Sequence, residues 1–147
     1  MNPLDNVGRW MTTNPVTIDE KASIIEAIHL MKDKEIRRLP VTRDGKFTGL
    51  ITDRMIKEYS PSKATALDTW ELHYVLAKTS VAEAMNPHPH TVTPEQTLTA
   101  AAQAIIEHKL YGLCVVDGKG DLVGILTTTD LLRALVALCA GQGSCPR

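Results

Sequence analysis

The stretch Gly124-Ile125-Leu126-Thr127-Thr128-Thr129-Asp130 sets a hydroxyl and a carboxylate three positions apart behind a short aliphatic run. The aliphatics hold a strand in a core, and Thr127 ends it with a group that donates or accepts a hydrogen bond. A helix starting near Thr128 turns free backbone N–H groups and a positive dipole end beyond the strand, which suits phosphate. Asp130 then projects from the first helical turn. Its carboxylate can accept from two neighbouring hydroxyls, as an acidic residue does on ribose in dinucleotide sites. The same pair also has a purely structural use: Thr127 or Thr128 serves as an N-cap and Asp130 sits well in a first turn. The two uses are compatible, because Thr127 can cap the helix in the empty state.

The phrase occurs twice, and its earlier occurrence in the chain differs at the polar position. Gly49-Leu50-Ile51-Thr52 is followed by Asp53, Arg54 and Met55. A thioether is a weak acceptor and does not replace a carboxylate toward two hydroxyls. Asp53 comes too early, by about 200° around a helix. Arg54 and Lys57 remain as groups for an anion. The expectation is one good site, using Asp130, and a weaker one around Thr17, Thr52 and Arg54.

The elements that must position these residues are also written twice. A shift of 74 positions brings Val7 onto Val81, Met11 onto Met85, Pro15 onto Pro89, Ala27 onto Ala101 and Val41 onto Val115. One extra residue at the Gly118–Gly120 turn moves the register by one, and Gly45, Gly49 and Thr52 then meet Gly120, Gly124 and Thr127. Two copies mean a structural unit that needs a partner to close its core. Each copy reads strand–helix–strand–strand–helix. "PVTID" and "PHTVT" are extended after a proline. The next helix is capped by Asp19 in the first copy, with Ile24, Ala27, Ile28 and Met31 as its apolar stripe. In the second copy Thr93 is the cap, Pro94 takes the first helical position and Gln96 completes a capping box. Leu98, Ala101, Ala102 and Ile105 form that stripe. "RLPVT" with "FTGLIT", and "GLCVVD" with "LVGILT", are strand pairs joined by Gly-bearing turns. Between the copies, Ser60-Pro61-Ser62 breaks a helix, and a helical pattern resumes from Leu67 with Leu72, Val75 and Leu76 on one side. This segment reads as a solvated connector or as a helix used in dimer contacts.

Composition narrows the function classes. The 147 residues carry 16 basic and 17 acidic side chains, a net charge of -1, so there is no electrostatic footprint for nucleic acid or anionic membrane. Aromatics are 4%, which requires an aliphatic core and weakens any case for stacking single-stranded bases. No apolar run reaches the ~18 residues of a membrane span, and "MNPLDNVGRW" lacks the pattern of a signal peptide. A cytoplasmic protein is expected. Cys114, inside "LCVV", reads as a buried small hydrophobe; Cys139 and Cys145 near the tail make a poor redox or metal pair. His88 and His90 have no evident third ligand, and His29, His73 and His108 are scattered, so no metal site is expected. There is no nucleophile–base pair and no phosphate loop, so no enzyme is expected.

"VGRWMTTNPVTI…IRRLPVTRDGKFTGLIT" and "VAEAMNPHPHTV…YGLCVVDGKGDLVGILTTTDLL" resemble a tandem pair of CBS domains, a Bateman module. The likeness runs from Val7 to about Ala137. The linker "SPSKATALDTWELHYVLAK" is similar to that of the acetoin-utilisation AcuB-type subgroup. The division expected is repeat one over 1–60, a partly helical linker over 61–76, repeat two over 77–140 and a flexible tail over 141–147. The resemblance implies an α/β fold of two repeats about a pseudo-twofold axis with two clefts. It implies a regulatory module that binds AMP, ADP, ATP or S-adenosylmethionine, requires no cofactor, and passes binding to a downstream partner; a homodimer is implied as well. It also implies a purine pocket lined by His90, Thr91 and Val92 with Tyr111, Gly112 and Leu113, and phosphate contacts from Arg37 or Arg38. The alternative is a structural interaction module with degenerate clefts.

Overall fold

The computed structural model describes residues 6–59 and 68–141; the Ser60-Pro61-Ser62 break, the start of the helical pattern at Leu67 and the tail with Cys145 lie outside them. In chain order the elements are α1 (Val7–Trp10), β1 (Thr12–Thr13), β2 (Ile18–Asp19), α2 (Ile24–Lys34), β3 (Arg38–Arg43), β4 (Lys46–Thr52) and α3 (Asp53–Glu58). They continue with α4 (Thr69–Lys78), α5 (Val81–Ala84), β5 (Thr91–Val92), α6 (Leu98–His108), β6 (Gly112–Val116), β7 (Leu122–Thr127) and α7 (Thr128–Gly141). The expected strand–helix–strand–strand–helix unit is present twice, as β2-α2-β3-β4-α3 and β5-α6-β6-β7-α7. In space the chain divides between Pro15 and Val16 and again between Pro89 and His90, so the first residues belong with the last.

In the unit Val16–Pro89, β2 runs parallel to β3 and β3 antiparallel to β4. Ala27 and Met31 of α2 pack with Ile18, Leu39, Val41, Ile51 and Val81. The β3–β4 turn has Asp44 at φ 52° and Gly45 at φ 80°, the paired positive angles that suit a tight hairpin. In the other unit the strand order is β1-β7-β6-β5, with β5 parallel to β6 and the other pairs antiparallel. Leu98, Ala101 and Ile105 of α6 pack with Val7, Val92, Leu113, Val115, Leu126 and Ala134. Both cores are aliphatic, as the scarcity of aromatics requires, and Cys114 is buried within β6.

Both stripe helices begin four residues later than their sequences suggest. The caps are Ser23, in a full capping box with Glu26, and Thr97, which accepts from Ala100 N. Asp19 instead accepts from Lys21 N, and Gln96 reaches back to Thr93 N at 2.8 Å within a separate turn. The reason lies far away in the chain. The carbonyls of Glu20 and Ala22 accept from Ala82 and Val81 N–H, and those of Pro94 and Gln96 accept from Gly8 and Val7 N–H. These carbonyls are committed to a short arm rather than to a helix.

The two arms explain the repeated glycines. A Cβ on Gly124 would lie 2.6 Å from Met11 Sδ and 2.9 Å from the Thr12 carbonyl oxygen; one on Gly49 would lie 2.6 Å from the Asn86 carbonyl oxygen. Each glycine therefore leaves room for an arm backbone to pass. In one unit Thr12 and Thr13 pair with Ile125 and Gly124; in the other Leu50 and Asn86 exchange both backbone hydrogen bonds. Helix α4 lies on α2, with Leu72, Val75 and Leu76 half-buried on one side. Asp68 caps it, and the Thr79 hydroxyl donates to the Val75 carbonyl at its end.

Candidate functional site

The motif that opened the sequence lies at the end of β7. Thr127 is its last residue, α7 begins at Thr128, and Asp130 is 3% exposed. The Asp130 carboxylate accepts from Thr127 N–H at 2.9 Å and from the Thr127 hydroxyl at 3.2 Å on Oδ2. Oδ1 accepts from the Thr12 hydroxyl at 3.4 Å and faces Arg133 Nη1 at 3.5 Å. Asp130 N–H donates a long 3.4 Å bond to Thr127 Oγ1. The pair thus forms a reciprocal cap, with the shorter Asp where a capping box usually has Glu or Gln. The side chain turns inward, away from bulk water, and the arm brings Thr12 to it. Both long contacts fall on Oδ1, so that oxygen is the more weakly held and the one a hydroxyl-bearing ligand can recruit.

The remaining candidates in this unit separate into exposed and buried groups. Gly112 stands opposite Thr127 in the β6–β7 ladder. The carbonyl of Tyr111 accepts from Thr128 N–H at 3.1 Å, taking one of the N–H groups at the helix start. The Tyr111 ring is exposed, as are His90 and Thr91. Val92 and Leu113 point into the core, so any part they take in a pocket is through backbone atoms. His108 is not isolated: its ring stacks on His90 with centroids 3.7 Å apart. Among the described residues, no three His, Cys, Asp or Glu side chains gather as a metal site.

The other unit shows what Met55 does to the same local geometry. Thr52 caps α3 and accepts from Met55 N–H at 3.1 Å, but Met55 carries no carboxylate to return to Thr52. The Arg37 carbonyl accepts from Asp53 N–H, as Tyr111 does for Thr128. Arg37 is exposed and Arg38 half-buried; Arg54 is held by Glu58 at 3.1 Å on the surface, and Thr17 is exposed before β2. Tyr59, which follows α3, donates to Glu83 at 3.2 Å, and burial together with this carboxylate raises its phenol above the usual range.

Thr12, Arg133 and His108 escaped the reading of the sequence. Arg133 follows Asp130 by one helical turn and was legible in principle. The repeat gave a signal for Thr12 too, since it follows Met11, whose match to Met85 marks the arm.

The family model for the CBS domain matches residues 7–62 and 81–137. The chain belongs to the CBS-domain family. Among solved structures, this CBS pair is similar to CBSX2, a protein of Arabidopsis thaliana, in its complex with AMP: 30% identity, 90% of this chain and 97% of that one, TM-score 0.73. It is also similar to an acetoin utilization protein (AcuB) from Vibrio cholerae, at 26% identity over 96% of this chain and 98% of that one, TM-score 0.78. The homoserine O-acetyltransferase of Methanococcoides burtonii is 30% identical over 131 residues, and this chain spans 24% of its length. The mixed α/β architecture of two CBS repeats is therefore that of CBS-pair proteins. Among the described residues no helix is long and apolar enough to cross a membrane.

Proposed function

We propose that this CBS pair is a non-catalytic regulatory module of the cytoplasm that binds an adenosine-containing ligand, with Asp130 and Thr127 gripping the ribose. The observation that carries the reading is a nearly buried carboxylate at a strand-to-helix junction, with one oxygen in a tight cap and the other in loose contacts. Similarity to CBSX2, which was solved with AMP, supports the ligand class. Tyr111, Gly112, His90 and Thr91 line the base, helped by the backbone of Val92 and Leu113. Arg37 or Arg38 meets phosphate, so AMP, ADP or ATP binds better than bare adenosine. S-adenosylmethionine is the other ligand of this class. The site around Thr17, Thr52 and Arg54 lacks the carboxylate and is the weaker one.

Binding reaches a downstream partner, through a homodimer, because ligand favours one conformation over another; the output is bounded by that difference in affinity. Thermal melts with AMP, ADP, ATP and S-adenosylmethionine at millimolar concentration test the reading. A ligand at 100 times its Kd adds ~2.7 kcal/mol. No rise with any of them leaves a structural module with degenerate sites. Equal binding of adenosine and AMP removes the arginines.

A further inference from the structure

Asp130 is nearly closed to a ligand as the empty protein holds it. Its carboxylate is 3% exposed, and both oxygens have partners. Oδ2 belongs to the cap on Thr127, so a hydroxyl-bearing ligand has to take Oδ1. Two groups stand there. Arg133 comes from the same helix, and its side chain is 70% exposed, so it swings into water at little cost. Thr12 comes from a different element, the arm strand β1, in which Thr12 pairs with Ile125 and Thr13 with Gly124 of β7. Of the two, only Thr12 ties the carboxylate to another part of the chain.

The other copy shows that this contact is not a by-product of the fold. The repeat puts Asn86 at the place of Thr12 and Met55 at the place of Asp130. The backbone is alike in both: Asn86 pairs with Leu50 as Thr12 pairs with Ile125, each arm passing close to a glycine. The side chains are not alike. Asn86 Oδ1 accepts from His88 N–H at 2.9 Å within its own loop, and Met55 offers no carboxylate to meet it. Hydroxyl and carboxylate are present together in one copy and replaced together in the other.

We infer that Thr12 is a latch on Asp130: its hydroxyl occupies Oδ1 while the site is empty, and a ligand hydroxyl displaces it and loosens the arm. The inference rests on the ribose reading above and says what occupancy does to the protein. Thr12 is exposed, so its released hydroxyl passes to water and no polar group is stranded. The arm is then held by its backbone pairing alone. Three residues past Thr12 the chain leaves this unit, between Pro15 and Val16, so a loosened arm acts on the segment that joins the two units. Latch and ligand compete for one oxygen. The ligand therefore loosens the arm by the same factor by which loss of the latch tightens the ligand. A 3.4 Å bond to a carboxylate is a weak one, which makes that factor about two to ten.

Two measurements on the full chain test it: calorimetric titration of AMP, ADP, ATP and S-adenosylmethionine, and hydrogen exchange of the arm amides scaled to those of α6. Thr12→Val binds about two- to tenfold more tightly than wild type, and Thr12→Ser, which keeps the hydroxyl, binds like wild type. Ligand speeds arm exchange by the same factor in wild type and leaves it unchanged in Thr12→Val. Equal or weaker binding by Thr12→Val, or arm exchange slowed by ligand, overturns the latch. If none of the four ligands binds, the ribose reading fails and the ligand's control of the latch fails with it. The latch itself is then decided in the empty chain. There Thr12→Val and Asp130→Ala each speed arm exchange about two- to tenfold, and the double variant no more than either alone. Additive effects, or none, overturn the contact.

Discussion

Replacing Asp130 with Ala removes a carboxylate that holds the start of α7, so the empty protein itself should feel the change. Thr127 N–H loses its 2.9 Å acceptor, and the Thr127 hydroxyl loses its 3.2 Å acceptor. Loss of a cap costs about 1 kcal/mol, and a partly buried donor left without a partner costs about 1–3 kcal/mol. These overlap, since both count the same N–H. The Arg133 ion pair adds little, because the guanidinium side is largely exposed. A total of about 2 kcal/mol follows, or a fall in Tm of roughly 4–8 °C for a chain of this size. Asp130→Asn keeps an amide oxygen for Thr127 N–H and should lose about half as much. Circular-dichroism melts of wild type, Asp130→Asn and Asp130→Ala, without ligand, read this order directly. If Asp130→Ala melts within a degree of wild type, the reciprocal cap is not holding α7 and the geometry argued for Oδ1 and Oδ2 is wrong.

The arm contacts predict that Gly124→Ala lowers stability by about 1–3 kcal/mol, since the Thr12 backbone must move. Gly118→Ala, with open space around it, stays within about 0.5 kcal/mol, and urea titration of the two variants beside wild type reads the difference. Met55→Asp should return a carboxylate to Thr52 and raise the nucleotide stoichiometry; unchanged binding would show that more than Met55 disables that site. Tyr59 contributes stability below the usual phenol range, and this is lost as pH rises through its raised value. Absorbance titration at alkaline pH checks this: Glu83→Gln should bring the Tyr59 step to lower pH, and an unshifted curve argues against the contact.

What the sequence made legible was whatever depends on neighbours in the chain. The stripe Ile24, Ala27, Ile28, Met31 and its copy Leu98, Ala101, Ala102, Ile105 declare α2 and α6 because burial follows helical period. The strand pairs and their turns follow for the same reason. The helix starts were misplaced by four residues because the carbonyls of Glu20 and Pro94 bond to arms that no local pattern reveals. Thr12 was hidden similarly, since its contact with Asp130 spans 118 positions. Within the candidate site, the local pairing of Thr127 with Asp130 was readable from their spacing. The inward turn of Val92 and Leu113 was not, because family likeness names positions without saying which face of a strand they occupy. The stacking of His108 on His90 needed α6 and the segment before β5 to be placed in space.

The most direct measurement is calorimetric titration of AMP into the wild-type chain and into Asp130→Asn. One strong site per chain, weakened at least ~tenfold in the variant, is the predicted result, a loss of about 1.4 kcal/mol. Two equal sites, or an affinity untouched by the substitution, would contradict the assignment of the ribose to Asp130.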